Sequence, residues 1–133
     1  MSLEIFVVVF GLLAVADWFM DMVQRTTVVI CRANQVMFTS AGPFMLPPFI
    51  KLAFPITLAK WATAGYFAWA ASPVIGLGAL GLSWLANVVS PVPFSLTLPP
   101  IQGQLTRVER QDPALGLKLR EMLSVWQAAR GRI

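Results

Sequence analysis

The side chains whose type and spacing could carry chemistry lie in the first apolar stretch of the sequence. Asp17, Asp21 and Arg25 recur every four residues, which places them on one face of a helix. If the apolar core begins near Ile5, Asp17 lies roughly 18 Å into a layer about 30 Å thick, at about 1.5 Å per residue. A carboxylate at that depth costs about 2.5–3.5 kcal/mol, so Asp17 is a candidate for proton relay or cation binding.

We favour a structural role for this charge ladder. Asp21 lies one helical turn from Arg25 and can pair with it. Asp17 lies a turn deeper, and we expect it to meet a donor from another subunit or to be protonated. Lys60 is the one basic residue of the later apolar segments that could reach that depth. Intramembrane aspartyl proteolysis is excluded, because it needs carboxylates from different helices and residues 24–106 contain no acidic residue.

A glycine-rich stretch, residues 76–81, matches the G-x-G-x-x-G pattern of dinucleotide-binding proteins. No predicted strand precedes it and no acidic residue follows about 20 positions later, so we reject that interpretation. Small and polar residues instead recur along one helical face, which favours close packing against another helix. This predicted packing face consists of Gly76, Ala79, Ser83 and Asn87.

The composition removes several other kinds of site. The chain has no histidine, so we expect no histidine-ligated haem, pigment or metal centre. Its one cysteine, Cys31, excludes an internal disulfide. No nucleophile–base pair is apparent in the sequence, which disfavours an enzyme. Lipids are the cofactor class that we expect.

Hydropathy and charge indicate a membrane protein. Apolar residues make up 57% of the 133 residues and charged residues 12%, with a mean hydropathy of +0.71; soluble domains carry about 25% charged residues. The net charge is +4. Its basic residues flank apolar runs instead of forming one cluster, so we expect a lipid bilayer as partner and no nucleic acid.

Apolar run lengths and proline breaks predict about three membrane-embedded helices, near 4–28, 52–72 and 74–90. We expect the first helix to be retained and not cleaved as a signal peptide. The residues before its apolar run carry Glu4 and no Lys or Arg, whereas a signal peptide begins with a positively charged region. The second and third could instead form a re-entrant hairpin. A proline-rich extended exit is predicted next, at Pro91, Pro93, Pro99 and Pro100. Lys60 and Trp61 together are typical of an interfacial anchor, with the ammonium reaching outward.

The last part of the chain predicts a basic amphipathic helix near 113–130. We therefore divide the chain into a membrane domain, residues 1–106, and a membrane-proximal tail, residues 107–133. Asp112 is a good N-cap. The helix would either lie on anionic lipid or pack into a groove of a partner subunit. Its apolar stripe comprises Leu115, Leu119, Met122, Leu123 and Trp126.

Charge also predicts topology. Residues 24–60 carry four basic and no acidic residues, and the tail carries six basic residues, including Arg132. Both segments should stay on the cytoplasmic or equivalent side of a bacterial or organellar inner membrane. Three crossings satisfy this arrangement.

Taken together, these features favour an all-α integral membrane protein that is a non-catalytic accessory subunit of a larger membrane complex. It would stabilise neighbouring membrane subunits by helix packing. Two alternatives are a self-assembling pore-former of the phage-holin kind and an ion- or proton-path subunit that uses Asp17.

Overall fold

The computed structural model describes residues 2–131, and every regular element in that range is helical. Arg132, one of the basic tail residues, lies outside the described residues. The all-helical prediction is confirmed. A short 3₁₀ helix, Pro48–Leu52, leads into the third of six α-helices. These helices are α1 Leu3–Ala33, α2 Phe38–Met45, α3 Ala53–Ala70, α4 Pro73–Val89, α5 Phe94–Gln111 and α6 Pro113–Gly131.

Helix α1 has recognisable signals at both ends. The Ser2 hydroxyl accepts a hydrogen bond from the Ile5 amide at 3.3 Å, which satisfies one of the free donors of the first turn. After the last turn, Gln35 adopts a left-handed conformation with φ 56°. Its N–H bonds to the Arg32 carbonyl, and the next N–H along the chain bonds to the Cys31 carbonyl. This is the Schellman arrangement, here without the usual glycine.

The later helix starts follow the same local chemistry. Ser72 accepts from the Ile75 amide at 3.3 Å and is followed by proline at the first helical position of α4. Asp112 accepts from the Leu115 amide at 3.2 Å and is likewise followed by Pro113. Serine–proline and aspartate–proline pairs therefore define where α4 and α6 begin.

Helix α1 is long and apolar enough to cross a membrane. Within the described residues, the number of candidate spans rises to three if each of two bent helix pairs counts as one span. Those pairs are Phe38–Met45 with Pro48–Ala70, and Pro73–Val89 with Phe94–Gln111.

The region predicted as an extended exit is partly helical, and this part of the prediction is wrong. Only residues 90–93 lie outside a helix, whereas Pro99 and Pro100 lie inside α5. Each proline removes a backbone donor, but α5 carries a buried stripe that repays the loss through packing. The stripe residues, spaced i, i+4, i+8 and i+11, are Thr97, Ile101, Leu105 and Val108. Tertiary packing has overridden local propensity here.

Residue contacts divide the chain into two compact units. Unit 1 comprises Met1–Asp21 and Lys51–Pro91, and unit 2 comprises Met22–Ile50 and Val92–Ile133. Within unit 2, α5 packs with α6 and with α2. The predicted division into a membrane domain and a tail after residue 106 stays a prediction. Helix α1 contributes residues to both units.

In unit 1, a small aromatic core joins α1 to the end of α3. The rings of Phe6 and Phe67 stack with centroids 4.2 Å apart, and Phe10 stacks on Phe6 at 5.4 Å. Ala64 completes the buried cluster, and Ala79 of α4 packs against it. Many of the large hydrophobic side chains of the unit are exposed, so its exterior is apolar.

In unit 2, α5 and α6 form a helical hairpin that packs with the second half of α1. The buried core includes Met22, Ile30, Met45, Ile101, Leu105 and Leu119. The hydroxyl oxygens of Thr26 and Thr97 lie 2.8 Å apart and share a hydrogen bond. The Asn34 amide donates to the Met122 carbonyl at 2.8 Å, which attaches the end of α1 to α6.

Candidate functional site

The most distinctive polar feature of unit 1 is a buried ion pair between α1 and α3. The Nζ of Lys60 lies 2.7 Å from Oδ2 of Asp17, and their side chains are 6% and 13% exposed. Charged side chains are rarely this buried unless they are paired. The pair is therefore part of the internal packing of the unit.

Neutral side chains from α3 and α4 complete the network around the ion pair. The Thr57 hydroxyl donates to Oδ1 of Asp17 at 2.6 Å. The Asn87 amide approaches Oδ2 at 3.4 Å. On the other side, Lys60 donates to the Ser83 hydroxyl at 3.0 Å. Both carboxylate oxygens and the ammonium group thus have partners, which a buried pair needs to offset desolvation.

Helical spacing explains why these side chains converge. Thr57 and Lys60 are three residues apart on α3, and Ser83 and Asn87 are four apart on α4, so each couple shares one helix face. Asp17 lies on the opposing face of α1. Three helices therefore each contribute one or two polar residues to a single cluster.

The prediction that the Lys60 side chain forms an outward-pointing interfacial anchor is wrong. Its ammonium points into the unit toward Asp17 and does not reach outward. Trp61 is 61% exposed and lies on the outside of the same helix. The expectation that Asp17 would need a donor from another subunit, or be protonated, is also corrected, because Lys60 of the same chain supplies the donor.

The predicted packing face of α4 is directed toward α3 and α1. A Cβ added to Gly76 would lie 2.6 Å from the Ala64 carbonyl oxygen and 2.7 Å from the Ala68 Cβ, so α3 and α4 approach closely there. Ala79 contacts the aromatic core. Ser83 and Asn87 join the ion-pair network. All four residues therefore contact other residues of unit 1.

The remaining members of the charge ladder lie on the same uninterrupted helix. Asp21 and Arg25 are both half-buried on α1, four residues apart. Their mutual pairing stays a prediction. The Asp17 carboxylate instead accepts hydrogen bonds from side chains of α3 and α4.

The apolar stripe of α6 is covered by the chain itself. Leu119, Met122, Leu123 and Trp126 are buried, and Leu115 is half-buried. Helix α6 packs on α5, and the Phe94 ring lies 5.0 Å from that of Trp126. Arg130 stacks over Phe94 at 4.4 Å from the ring centroid. The stripe therefore serves the hairpin and is not an open docking surface for lipid or a partner groove.

Sequence reasoning missed several polar contributors. Thr57, Thr26 and Thr97 are buried or half-buried hydroxyls that carry hydrogen bonds between helices. Threonine is common in membrane helices, so type alone gives no signal. The i, i+3 spacing of Thr57 and Lys60 on an otherwise apolar helix is the clue that could have identified the pair.

The network has the geometry of a structural cluster. Its groups are one carboxylate, one ammonium, two hydroxyls and one amide, all within hydrogen-bonding distance of another member. Among residues 2–131, no group of three or more His, Cys, Asp or Glu side chains is placed to hold a metal ion. Comparisons with protein-family models, with curated proteins and with solved structures found no match to this chain.

Proposed function

We propose that this chain is an integral membrane protein that acts as a non-catalytic accessory subunit of a larger membrane complex. Unit 1 would lie in the bilayer and present its outer helix faces to lipid and to neighbouring subunits. The observation that carries the non-catalytic part of the proposal is the Asp17–Lys60 pair, and the exposed apolar side chains of unit 1 support its contact with lipid and neighbouring subunits. Its charges are paired and hydrogen-bonded inside the unit, as expected for a structural element in a membrane helix bundle.

The exterior of unit 1 supports insertion into a bilayer. Trp69 is 85% exposed and Val74 is 83% exposed. In water such a surface would be an aggregation hazard, whereas in lipid it is the favourable exterior. The outer side of α4 adds further exposed apolar side chains, namely Leu77, Leu82, Trp84, Leu85, Val88 and Val89.

The ion-path alternative receives less support from the geometry. A path needs polar groups that continue across the layer, and Glu4 lies about 20 Å from Asp17 along the helix at about 1.5 Å per residue. Between these two residues the helix carries only apolar side chains and glycine. Asp17 is also held by Lys60 and Thr57, which fix it in place.

The test is recovery of the tagged full-length chain from its native membranes in mild detergent. We expect another integral membrane protein to co-purify at a fixed ratio. Lys60→Met should lower that recovery, because it leaves Asp17 buried without its cation. Glu109→Gln is the matched control, since Glu109 is a partly exposed residue whose loss should leave recovery unchanged.

Two results would contradict the proposal. If the purified chain self-assembles and releases dye from vesicles without any partner, the pore-forming alternative replaces it. If the complex with Asp17→Asn assembles normally but loses ion or proton flux, the transport alternative replaces it.

A further inference from the structure

Unit 1 contains an open apolar cleft between α1 and α4. Its volume is about 660 Å³. One wall runs from Phe6 to Val15 on α1, and the other runs from Val74 to Ser83 on α4. Apart from the Ser83 hydroxyl, which is bound to Lys60, the lining side chains are hydrocarbon or glycine. The cleft therefore fits a hydrocarbon occupant.

The length of the cleft distinguishes between hydrocarbon occupants. A smaller hollow, lined also by Asn87 and Ser90, continues beyond Ser83 along the same helices. Up to Ser83, each wall covers nine residue steps, or about 14 Å at about 1.5 Å per residue. This is close to half of a hydrocarbon layer about 30 Å thick, which is the depth of one leaflet. A spanning helix of a partner would need contact along the whole layer. A lipid acyl chain needs only one leaflet.

Two exposed aromatic residues lie near the end of α3, shortly before α4 begins. Tyr66 and Trp69 are exposed near the end of α3, with ring centroids 6.5 Å apart. The turn after them leads directly into Val74 at the start of the α4 wall. Exposed tyrosine and tryptophan concentrate at the level of lipid headgroups. Glu4, a charged residue that is exposed within one turn of Phe6, lies at the same end. The end of the cleft near Phe6 and Val74 therefore corresponds to the membrane surface.

Two glycines keep the cleft open. Gly11 on α1 and Gly78 on α4 both line it, and a Cβ added at either position would meet no atom of this chain within 4 Å. Larger residues at these positions would fill the cleft without disturbing the helices around it. Gly65 and Gly81 have equally open surroundings but do not line the cleft.

We propose that the α1–α4 cleft binds one acyl chain of a membrane phospholipid, with the headgroup at the Tyr66–Trp69 end. This inference rests on the proposed membrane insertion of unit 1. The lipid would fill a space that the protein leaves empty, and it would add contacts between α1 and α4.

The experiment uses the full chain in nanodiscs made with phosphatidylcholine that carries a photoreactive diazirine on its palmitoyl chain. One sample is irradiated and the labelled residues are mapped by mass spectrometry. A second is transferred to lipid-free detergent and examined by native mass spectrometry. The variants are Gly11→Leu and Gly78→Leu, with Gly65→Leu and Gly81→Leu as matched controls.

We expect the natural chain and both controls to retain one phospholipid and to be labelled at Phe6, Phe10 or Ala14. Gly11→Leu and Gly78→Leu should each lose that lipid and that label. Gly11→Leu fills the cleft from α1 and Gly78→Leu fills it from α4. If one of these variants fails to fold, the other still tests the proposal. Equal lipid retention in all four variants would overturn the proposal, as would occupation of the cleft by a second protein chain.

This outcome can be separated from that of the proposed function. If lipid retention fails while a partner still co-purifies, only the lipid site is wrong. If lipid is retained by a chain that recovers no partner, the accessory role fails and the lipid site stands. Absence of label on both the cleft and the outer residues Leu77 and Trp84 would contradict membrane insertion itself.

Discussion

Lys60 donates to Asp17 across 2.7 Å, although 43 positions separate the two residues in the sequence. The pair joins α1 to α3, and Ser83 and Asn87 extend the connection to α4. Unit 1 thus has a polar centre and an apolar exterior. Burial of the two charges is tolerable only when both are present, so their effects on stability should be strongly coupled.

The first substitution in this pair should lower the free energy of unfolding more than the second. The second substitution removes the buried charge that the first one left unpaired. We expect Asp17→Asn or Lys60→Met alone to lower the free energy of unfolding by about 3–5 kcal/mol, because each leaves an uncompensated buried charge. The double variant should lose less than the sum by about 1–3 kcal/mol. Denaturant unfolding in detergent micelles, followed by circular dichroism, measures all three values. Strictly additive losses would mean that the two side chains do not interact.

The second ion pair, between Arg120 and Glu109, should contribute much less. Its atoms are 2.6 Å apart, but the side chains are 41% and 46% exposed. Exposed pairs are screened by solvent and salt, so we expect Glu109→Gln to cost less than about 1 kcal/mol. The loss should shrink further at high salt. Unfolding at two salt concentrations tests this, and a cost as large as that of Lys60→Met would contradict it.

The sequence predicted the all-helical fold and the start of α6, and it identified Asp17 as a polar residue within the apolar stretch of α1. Spacing placed Asp17 and the Ser83–Asn87 couple on helix faces, but it did not say which faces would meet. Lys60 next to Trp61 has the local pattern of an interfacial anchor, and only the packing of α1 against α3 makes it an internal cation. The helical conformation of Pro99 and Pro100 was equally inaccessible, because it depends on burial of Ile101 and Leu105 against other elements.

The close approach of α3 and α4 depends on Gly76. A Cβ there would lie 2.6 Å from the Ala64 carbonyl oxygen and 2.8 Å from the Ala68 Cα, both of which belong to the neighbouring helix. We expect Gly76→Ala to reduce the unfolding free energy by about 1–3 kcal/mol, since the helices must separate to make room. Gly81→Ala is the control: nothing lies within 4 Å of its added Cβ, so it should be neutral or stabilising by up to about 1 kcal/mol. Equal effects of the two substitutions would show that Gly76 does not set the separation of the helices.

The left-handed conformation of Gln35 offers a stabilising substitution. Its φ of 56° is disfavoured for a residue with a Cβ, whereas glycine adopts it readily. Gln35→Gly should therefore raise the unfolding free energy by about 0.5–1 kcal/mol. Gln35→Ala keeps the Cβ and should change stability little. A stabilising alanine and a neutral glycine would point to the side chain of Gln35, and not its backbone, as the cause.

The predicted topology can be tested within unit 2 by labelling single cysteines. With Lys60 internal, Arg25, Arg32 and Lys51 remain as the basic residues of the predicted 24–60 loop, and the tail is also basic, so we expect both to lie on the same side of the membrane. Gln35 follows α1, and Ala129 lies near the end of α6 with an exposed side chain. With Cys31→Ser as background, Gln35→Cys and Ala129→Cys should react with an impermeant maleimide from the same side of sealed vesicles. Permeabilised vesicles provide the total reactivity of each site. Three crossings place two spans between Gln35 and Ala129, and two spans return the chain to the same side. Labelling of the two positions from opposite sides would therefore exclude three crossings.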